Sequence, residues 1–339
     1  MAFNFPGLAS YVDQLSQPLI SRAVLEARTA QFIDVIQGVK YAEQINILDI
    51  NPFVVMANNQ SNQGFIDSGT TIISGITAVA CPLKIQNSFV LEGIGGLEQI
   101  WYGMLLKSGS YTESAPAFEE AFMSQLQKYT SQAVDYVLWL GGYIPGGSNA
   151  HSADTSGGGA GYLGGCVGIL NQLYNTAASA STTTVTYSGA PTQATIYAII
   201  EGIVAAIPSN MLMLPNISIW CQPAYIDMYK RALFALNNNT GNYWINPAFS
   251  SQATSDLDIQ IPGRSNITLR GTPGLAGSSG AGFQGFVCSN DNNLALITDL
   301  MNDYERTQVW FSNDFDQLRA TTKFKAGGIA KITAQVIVY

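Results

Sequence analysis

Charge is what this sequence has least of. Only 11% of its 339 residues are Asp, Glu, Lys or Arg, whereas soluble domains typically carry about 25%. The mean hydropathy is slightly positive, at +0.14. A soluble monomer usually displays a charged surface, so we expect this chain to bury much of its surface against copies of itself or against partners. A cell-envelope protein covered in Ser, Thr and Asn would have a similar composition, so composition alone leaves both possibilities open.

Long apolar runs are also missing. The most apolar stretch, residues 196–207, is too short for a membrane-spanning helix and contains Glu201. The first basic residue is Arg22, and no long apolar run follows the start, so no signal peptide is predicted. We therefore expect a chain that is made and used in the cytoplasm and has no membrane partner.

The balance of charge is acidic, with a formal net charge of −8. Such a balance gives no indication of a protein held to nucleic acid by phosphate contacts. It is consistent with a container whose inner wall must not adhere to packed DNA.

Residues that usually carry chemistry are few. The one histidine is His151, and the four cysteines, Cys81, Cys166, Cys221 and Cys288, lie far apart without a CxxC pair. A zinc site needs about four nitrogen or sulfur ligands in close groups, so no metal site is predicted. The cysteines are predicted to be buried free thiols.

One segment matches a nucleotide-binding pattern by spacing alone. Gly159, Gly161 and Gly164 follow the GxGxxG order, which needs a strand before it, a helix after it and an acid about 20 residues later. The preceding residues are a Gly- and Ser-rich loop, and residues 165–200 contain no Asp or Glu. A catalytic triad would have to use His151, and no GxSxG motif exists. We therefore predict no catalytic, cofactor-binding or metal-binding residues and no enzyme activity.

The clearest helix is predicted over residues 116–140, which Pro116 begins and Gly141 and Gly142 end. Its length of roughly 37 Å, at about 1.5 Å per residue, suits a structural beam. Its apolar stripe recurs at spacings of three and four and consists of Phe118, Phe122, Leu126, Tyr129, Ala133, Tyr136, Val137 and Leu140.

The apolar and turn patterns in the rest of the sequence predict extended regions and regions of mixed helix and strand. Residues 46–100 are predicted to be extended, with strands at 70–80 and 81–91. The polar residues 58–69 within them suit the flexible tip of a long two-stranded excursion. The Gly- and Ser-rich residues 141–165 are a candidate domain boundary. Helices are predicted at 193–207 and 224–235, and loops with short strands over 236–285. Further strands are predicted at 216–220, 294–299, 308–311, 318–324 and 331–339.

Two segments, together with this order of elements, resemble the major capsid proteins of tailed double-stranded DNA bacteriophages. Residues 306–328, and within them 318–327, are similar to the closing strands of that family. Residues 217–233 are similar to the strand, turn and helix of its A-domain. The likeness covers about residues 45–339 at the level of pattern, and the family shares its fold with encapsulins and the herpesvirus capsid floor.

The resemblance implies an α+β protein with the tailed-phage major capsid fold. The division that it implies is an N-terminal arm at 1–45, an extended E-loop hairpin at 46–100, a P-domain with a long spine helix at 101–145, an A-domain at 146–290, and the C-terminal strands of the P-domain at 291–339.

The implied function is structural. Such a subunit assembles into the hexamers and pentamers of an icosahedral shell, which encloses double-stranded DNA without sequence-specific binding. The expected partners are further copies, a portal, possible decoration proteins and a separate scaffolding protein, because no long charged scaffold segment precedes the arm. The expected location is the virion, with assembly in the host cytoplasm. The alternatives are an encapsulin-like compartment and a β-rich surface binding protein.

Covalent cross-linking is known in that family, where a lysine near the E-loop tip joins an asparagine of the next subunit. Lys84 is the single lysine between Lys40 and Lys107, and it lies outside the polar tip at 58–69. We therefore expect a shell that non-covalent contacts hold together.

Overall fold

The computed structural model describes residues 24–40, 42–50, 71–90, 118–142, 166, 168–175, 183–184, 190–240, 257–276, 283–299, 306–312 and 317–339. These residues form a five-stranded sheet that packs on a long helix, a six-stranded sheet with further helices, and a two-stranded hairpin. The predicted α+β class is confirmed.

One long strand organises the first sheet. β12 (Gln317–Ala330) pairs antiparallel along one edge with β4 (Cys81–Val90). Its other edge pairs first with β11 (Arg306–Ser312) and then with β10 (Leu294–Thr298). β1 (Asp34–Gln37) adds to β10 in parallel. The central strand therefore joins β4, from the first third of the chain, to two strands near its end.

Two glycines allow this strand to continue beyond its predicted end at residue 324. A Cβ atom on Gly327 would lie 2.2 Å from the carbonyl oxygen of Val79, and one on Gly328 would lie 2.4 Å from that of Leu138. No side chain fits in either space, so glycine is required where neighbouring backbone comes this close.

The predicted closing strand at 331–339 is wrong for most of its length. Residues Thr333–Gln335 form a 3-10 turn, and only β13 (Ile337–Val338) is extended and paired. The apolar alternation of this segment comes from its contacts with two different cores, because Val336 and Val338 lie in one core and Ile337 in the other.

The predicted long helix is present as α1 (Phe118–Leu140), but its buried face differs from the predicted stripe. Tyr129 is 61% exposed, and Ala133 and Tyr136 are only half-buried. The reason is that α1 also packs against the short helix α6 (Pro273–Ala276). The two helices come so close that a Cβ atom added to Gly274 would lie 2.5 Å from the carbonyl oxygen of Asp135. The second half of α1 is therefore covered on two sides.

The second sheet has the strand order β5-β13-β9-β6-β8-β7. The strands not yet defined are β5 (Thr183–Thr184), β6 (Ile217–Cys221), β7 (Asp258–Gln260), β8 (Ile267–Gly271) and β9 (Val287–Asn290). The helix α2 (Ile169–Asn175) packs on the first core, beside α1 and β12. The helices of the second sheet are α3 (Ile196–Ala205), α4 (Ser209–Leu212) and α5 (Pro223–Thr240). The predictions at 193–207, 216–220 and 224–235 are confirmed, although α5 continues into residues that were predicted to be loop.

Strand β6 is buried on both faces because it lies between two apolar cores. Ile217, Ile219 and Cys221 belong to the core under α3 and α5. Trp220 belongs to the core formed by α1 and the first sheet. Side chains alternate across a strand, so this position between the cores explains why all five residues of β6 are buried.

The cysteine prediction is half right. Cys221 and Cys288 are buried free thiols, and burial raises the pKa of both, that of Cys288 to about 12. Cys81 and Cys166, by contrast, form a disulfide with their Cα atoms 5.4 Å apart. The two lie 85 residues apart in the chain, and only the packing of β4 beside the segment before α2 brings them together.

The hairpin consists of β2 (Ala42–Ile50) and β3 (Thr71–Val79), which pair antiparallel from Ala42 with Val79 to Ile50 with Thr71. The strand predicted at 70–80 is therefore confirmed as one arm of a hairpin. The strand predicted at 81–91 is present as β4, but it joins the first sheet. The polar tip at 58–69 lies outside the described residues.

We predict that Phe122→Ala lowers the free energy of unfolding by about 3–5 kcal/mol, the usual cost of truncating a buried aromatic ring. Phe122 is buried in the first core and packs edge-on against Phe89, with 5.4 Å between the ring centroids. Chemical denaturation measures this change. The matched control is Tyr129→Ala on the same helix, which should change stability by less than about 0.5 kcal/mol because Tyr129 is exposed. Equal effects of the two substitutions would contradict the assignment of the buried face.

Candidate functional site

No metal centre is present among the described residues, which contain no group of three or more His, Cys, Asp or Glu placed to bind an ion. None of the described helices is both long and apolar enough to cross a membrane. His151 and the GxGxxG glycines Gly159, Gly161 and Gly164 lie outside the described residues. The polar features that the structure does describe are a buried junction between the two cores and the outer face of the first sheet.

The junction is built around the carboxylate of Asp135 on α1. The Thr29 amide donates to its Oδ1 at 3.0 Å, and the Thr272 hydroxyl donates to its Oδ2 at 2.5 Å. The two threonine hydroxyls lie 3.0 Å apart, and the Trp139 indole N–H donates to Thr29 Oγ1 at 2.9 Å. Three segments that are far apart in the sequence therefore meet at one carboxylate.

Asp135 is 1% exposed, and this burial raises its pKa, while the hydrogen bonds from Thr272 and Thr29 act in the opposite direction. A buried carboxylate is costly unless its oxygens are hydrogen-bonded. Its donors come from outside the helix, so α1 is stable in this environment only when the segment around Thr29 and the end of β8 are both in place.

Arg28 makes a second link beside the first. Its Nε donates to the carbonyl oxygen of Gly271 at 2.8 Å, and its Nη2 lies 2.7 Å from Asp258 Oδ1 as an ion pair. Gly271 precedes Thr272, so adjacent residues of the N-terminal segment bind adjacent residues of the second sheet. The register between these two segments is thereby specified by four polar groups.

Aromatic rings fill the space between the cores. The Arg270 guanidinium lies 3.7 Å from the centroid of the Phe32 ring, a cation–π distance. Phe32 and Trp139 both pack on Trp220, at centroid distances of 6.1 and 5.6 Å. Asp291 accepts from Arg270 at 3.3 Å. Burial raises the pKa of Asp291 to about 6, although Arg270 opposes the shift.

A buried ion pair anchors the other end of the N-terminal segment. The Lys325 ammonium lies 2.9 Å from Asp299 Oδ2 and donates to the carbonyl oxygen of Lys40 at 2.8 Å. Both side chains of the pair are almost fully buried. Residues 24–40 are therefore bound at both ends, by Arg28 and Thr29 at the second sheet and by Lys325 at the first.

These groups have structural rather than catalytic geometry. The carboxylate of Asp135 faces hydroxyl, amide and indole donors inside the protein, and both free thiols are buried with raised pKa values. No pattern considered in the sequence predicted the junction. The signal that could have revealed it was Asp135 itself, a single charged residue in the apolar second half of a helix.

Comparisons with known proteins give a match of fold without a match of sequence. No protein-family model matches the chain, and no curated protein is similar at the level of sequence. A chain of the satellite phage P4 procapsid, a particle that includes the size determination (Sid) protein, has a TM-score of 0.59 at 10% identity, covering 95% of this chain and 89% of that one. A chain from Mycobacterium phage Ogopogo has a TM-score of 0.51 at 14% identity, covering 92% of this chain and 90% of that one.

This chain has the tailed-phage capsid fold. The resemblance to that family is therefore confirmed at the level of the whole fold. Residues 306–312, 317–328 and 217–233 form β11, most of β12, β6 and much of α5, and their correspondence with particular parts of the family stays a prediction. The division into arm, E-loop, P-domain and A-domain stays a prediction.

The capsid fold presents several large apolar side chains to solvent in this chain. Scattered exposed apolar residues are ordinary on a monomer, but a chain this poor in charge has few charged residues with which to surround them. Exposed apolar area of this kind suits contacts between subunits. The exposed residues are Leu25, Val79, Val90, Tyr129, Met213, Leu214, Phe234 and Trp310.

We predict that Asp291 makes this capsid fold more stable at pH 4 than at pH 8. Its folded-state pKa of about 6 exceeds the ordinary value of 3.8, so the folded state binds the proton more tightly than the unfolded state. The folded state therefore gains stability as the pH falls from above 6 towards 4, by on the order of 3 kcal/mol.

The measurement is the free energy of unfolding of the wild type minus that of Asp291→Asn, at several pH values. The difference should move in favour of the wild type as the pH falls from 8 to 4. A difference that does not change with pH would contradict the raised pKa.

Proposed function

We propose that this chain is the structural subunit of the icosahedral capsid of a tailed double-stranded DNA bacteriophage. Copies of it would assemble into hexamers and pentamers that enclose the genome. The observation that carries the proposal is the fold, which matches a chain of the P4 procapsid over 95% of this chain. The expected location is the virion, and we propose no catalytic role.

The parts of the subunit follow from the same proposal. Residues 1–45 would be the arm, 46–100 the E-loop, 101–145 the P-domain with α1 as its spine helix, 146–290 the A-domain, and 291–339 the closing strands of the P-domain. The 23 residues of α1 span roughly 35 Å, and their second half is held between the first sheet and α6. This arrangement supports a rigid beam.

The internal links support a subunit that carries load. A shell under pressure from packed DNA transmits force from subunit to subunit, so the two cores of each subunit must not separate. The carboxylate of Asp135, the Arg28–Asp258 pair and the buried Lys325–Asp299 pair oppose that separation. Low charge density supports large contacts between copies.

The proposed partners are further copies of this chain, a portal, a separate scaffolding protein and possible decoration proteins. The packaged DNA would be enclosed without sequence-specific contacts. The acidic net charge of −8 supports an inner wall to which DNA does not adhere.

The test is assembly of the expressed chain, alone and with a scaffolding protein from the same source. Sedimentation and negative-stain electron microscopy should show capsomers or closed shells. Particles from the native source should contain double-stranded DNA that resists nuclease. A discrete monomer under all conditions would contradict the proposal, and particles that hold protein cargo without DNA would favour an encapsulin-like compartment.

A further inference from the structure

The outer face of the first sheet brings cations together in one row. Lys84 of β4 and Lys323 of β12 are direct partners across the two strands. Lys323 is also the register partner of Arg306 on β11. Strands lie about 4.8 Å apart, so three basic residues occupy register positions within roughly 10 Å. The whole chain has only 15 Lys and Arg residues, which makes this row a strong local concentration.

Both lysines are exposed, and among the residues that the structure describes neither has an acidic partner. The ion pairs within the described residues involve Arg28, Arg270, Lys325 and Lys331 as their cations. The opposite face of the same strands is apolar and packs against the first core, through Leu83, Ile85 and Phe324. The lysine row therefore points away from the body of the subunit.

Like charges that face each other across two strands destabilise a sheet by up to about 1 kcal/mol. A sequence with so few charges had many neutral residues available for these two positions. The arrangement costs stability in the free subunit, and a bound anionic group would remove that cost.

The composition of the rest of this face favours a protein as the source of that group. Trp310 lies opposite Arg319, four residues along β12 from Lys323, and is 42% exposed. Val90, at the end of the same face, is 53% exposed. Exposed Trp is typical of protein interfaces, whereas sequence-independent contact with a DNA backbone requires only cations that neutralise phosphates.

We propose that this face, centred on Lys84 and Lys323, is an electrostatic and apolar docking surface for an acidic segment of a second copy of this chain. Each copy carries 23 acidic residues against 15 basic ones, so copies repel one another overall, and a local cluster of cations offers a neighbour an attractive contact. The inference rests on the proposed capsid function and specifies one of the contacts between its subunits.

Two single charge reversals test this surface, Lys84→Glu and Lys323→Glu. Each replaces a like-charge pair within the subunit by an opposite-charge pair, so the thermal midpoint of the free subunit should rise by about 1–3 °C. Each should also lower the yield of assembled particles by about tenfold or more, because the reversed charge repels the incoming acidic group. A merely misfolded variant would not gain stability while it loses assembly.

The matched control is Lys128→Glu, which reverses an exposed charge on α1 and should leave the particle yield within about twofold of the wild type, because a rim charge outside a contact contributes little. Wild-type assembly should also weaken as the salt concentration rises, and the reversed variants should lose that dependence. Wild-type particle yield in both reversed variants would overturn the inference. Absence of particles from the wild type would overturn the proposed function together with it.

Two further readouts distinguish other uses of the same lysines. If free subunits bind a 20-base-pair duplex through these lysines while the reversed variants still assemble, the row contacts the genome and the inference is wrong. Denaturing electrophoresis of wild-type particles should show one band at the chain mass of 36.3 kDa. A ladder of larger species that disappears in Lys84→Glu would show that Lys84 forms a covalent cross-link, and the inference of an electrostatic contact would then be wrong.

Discussion

The buried carboxylate of Asp135 is the group on which the rest of this structure depends. It lies on the long helix, yet its hydrogen bonds come from Thr29 near the beginning of the described chain and from Thr272 at the end of β8. Removal of either donor leaves a buried charge partly unsatisfied, which is among the costlier defects in a protein interior. The first core, the N-terminal segment and the second sheet are therefore bound into one body, although each has apolar packing of its own.

This constraint explains how a chain poor in charge can still specify one arrangement of its two cores. Apolar and neutral surface is useful at contacts between copies, but it gives little guidance about which internal surfaces belong together. In this chain a small set of buried or half-buried charges, at Asp135, Arg28, Asp258, Lys325 and Asp299, specifies the internal register. The surface charge that remains includes the exposed row at Lys84 and Lys323.

The sequence was most informative where structure is local. Apolar spacing predicted α1, α3 and α5, because a periodic pattern reports the face that an element buries, and a short strand was predicted at 216–220, where β6 lies. It failed where distant segments decide the outcome. Gly327 and Gly328 were predicted to lie beyond a strand end but mark close backbone contacts. Tyr129 fits the apolar stripe but is largely exposed. The Cys81–Cys166 bond has no trace in the spacing of the cysteines.

Hydrogen exchange along a denaturant series, for the wild type and Asp135→Ala, tests most directly whether this junction unites the two cores. In the wild type the amides of α1 and of β6 should lose protection together, with the same dependence on denaturant, because neither core opens without the other. In Asp135→Ala the two sets should separate, with one core opening at lower denaturant than the other. Independent opening of α1 and β6 in the wild type would contradict the account, and so would joint opening in Asp135→Ala.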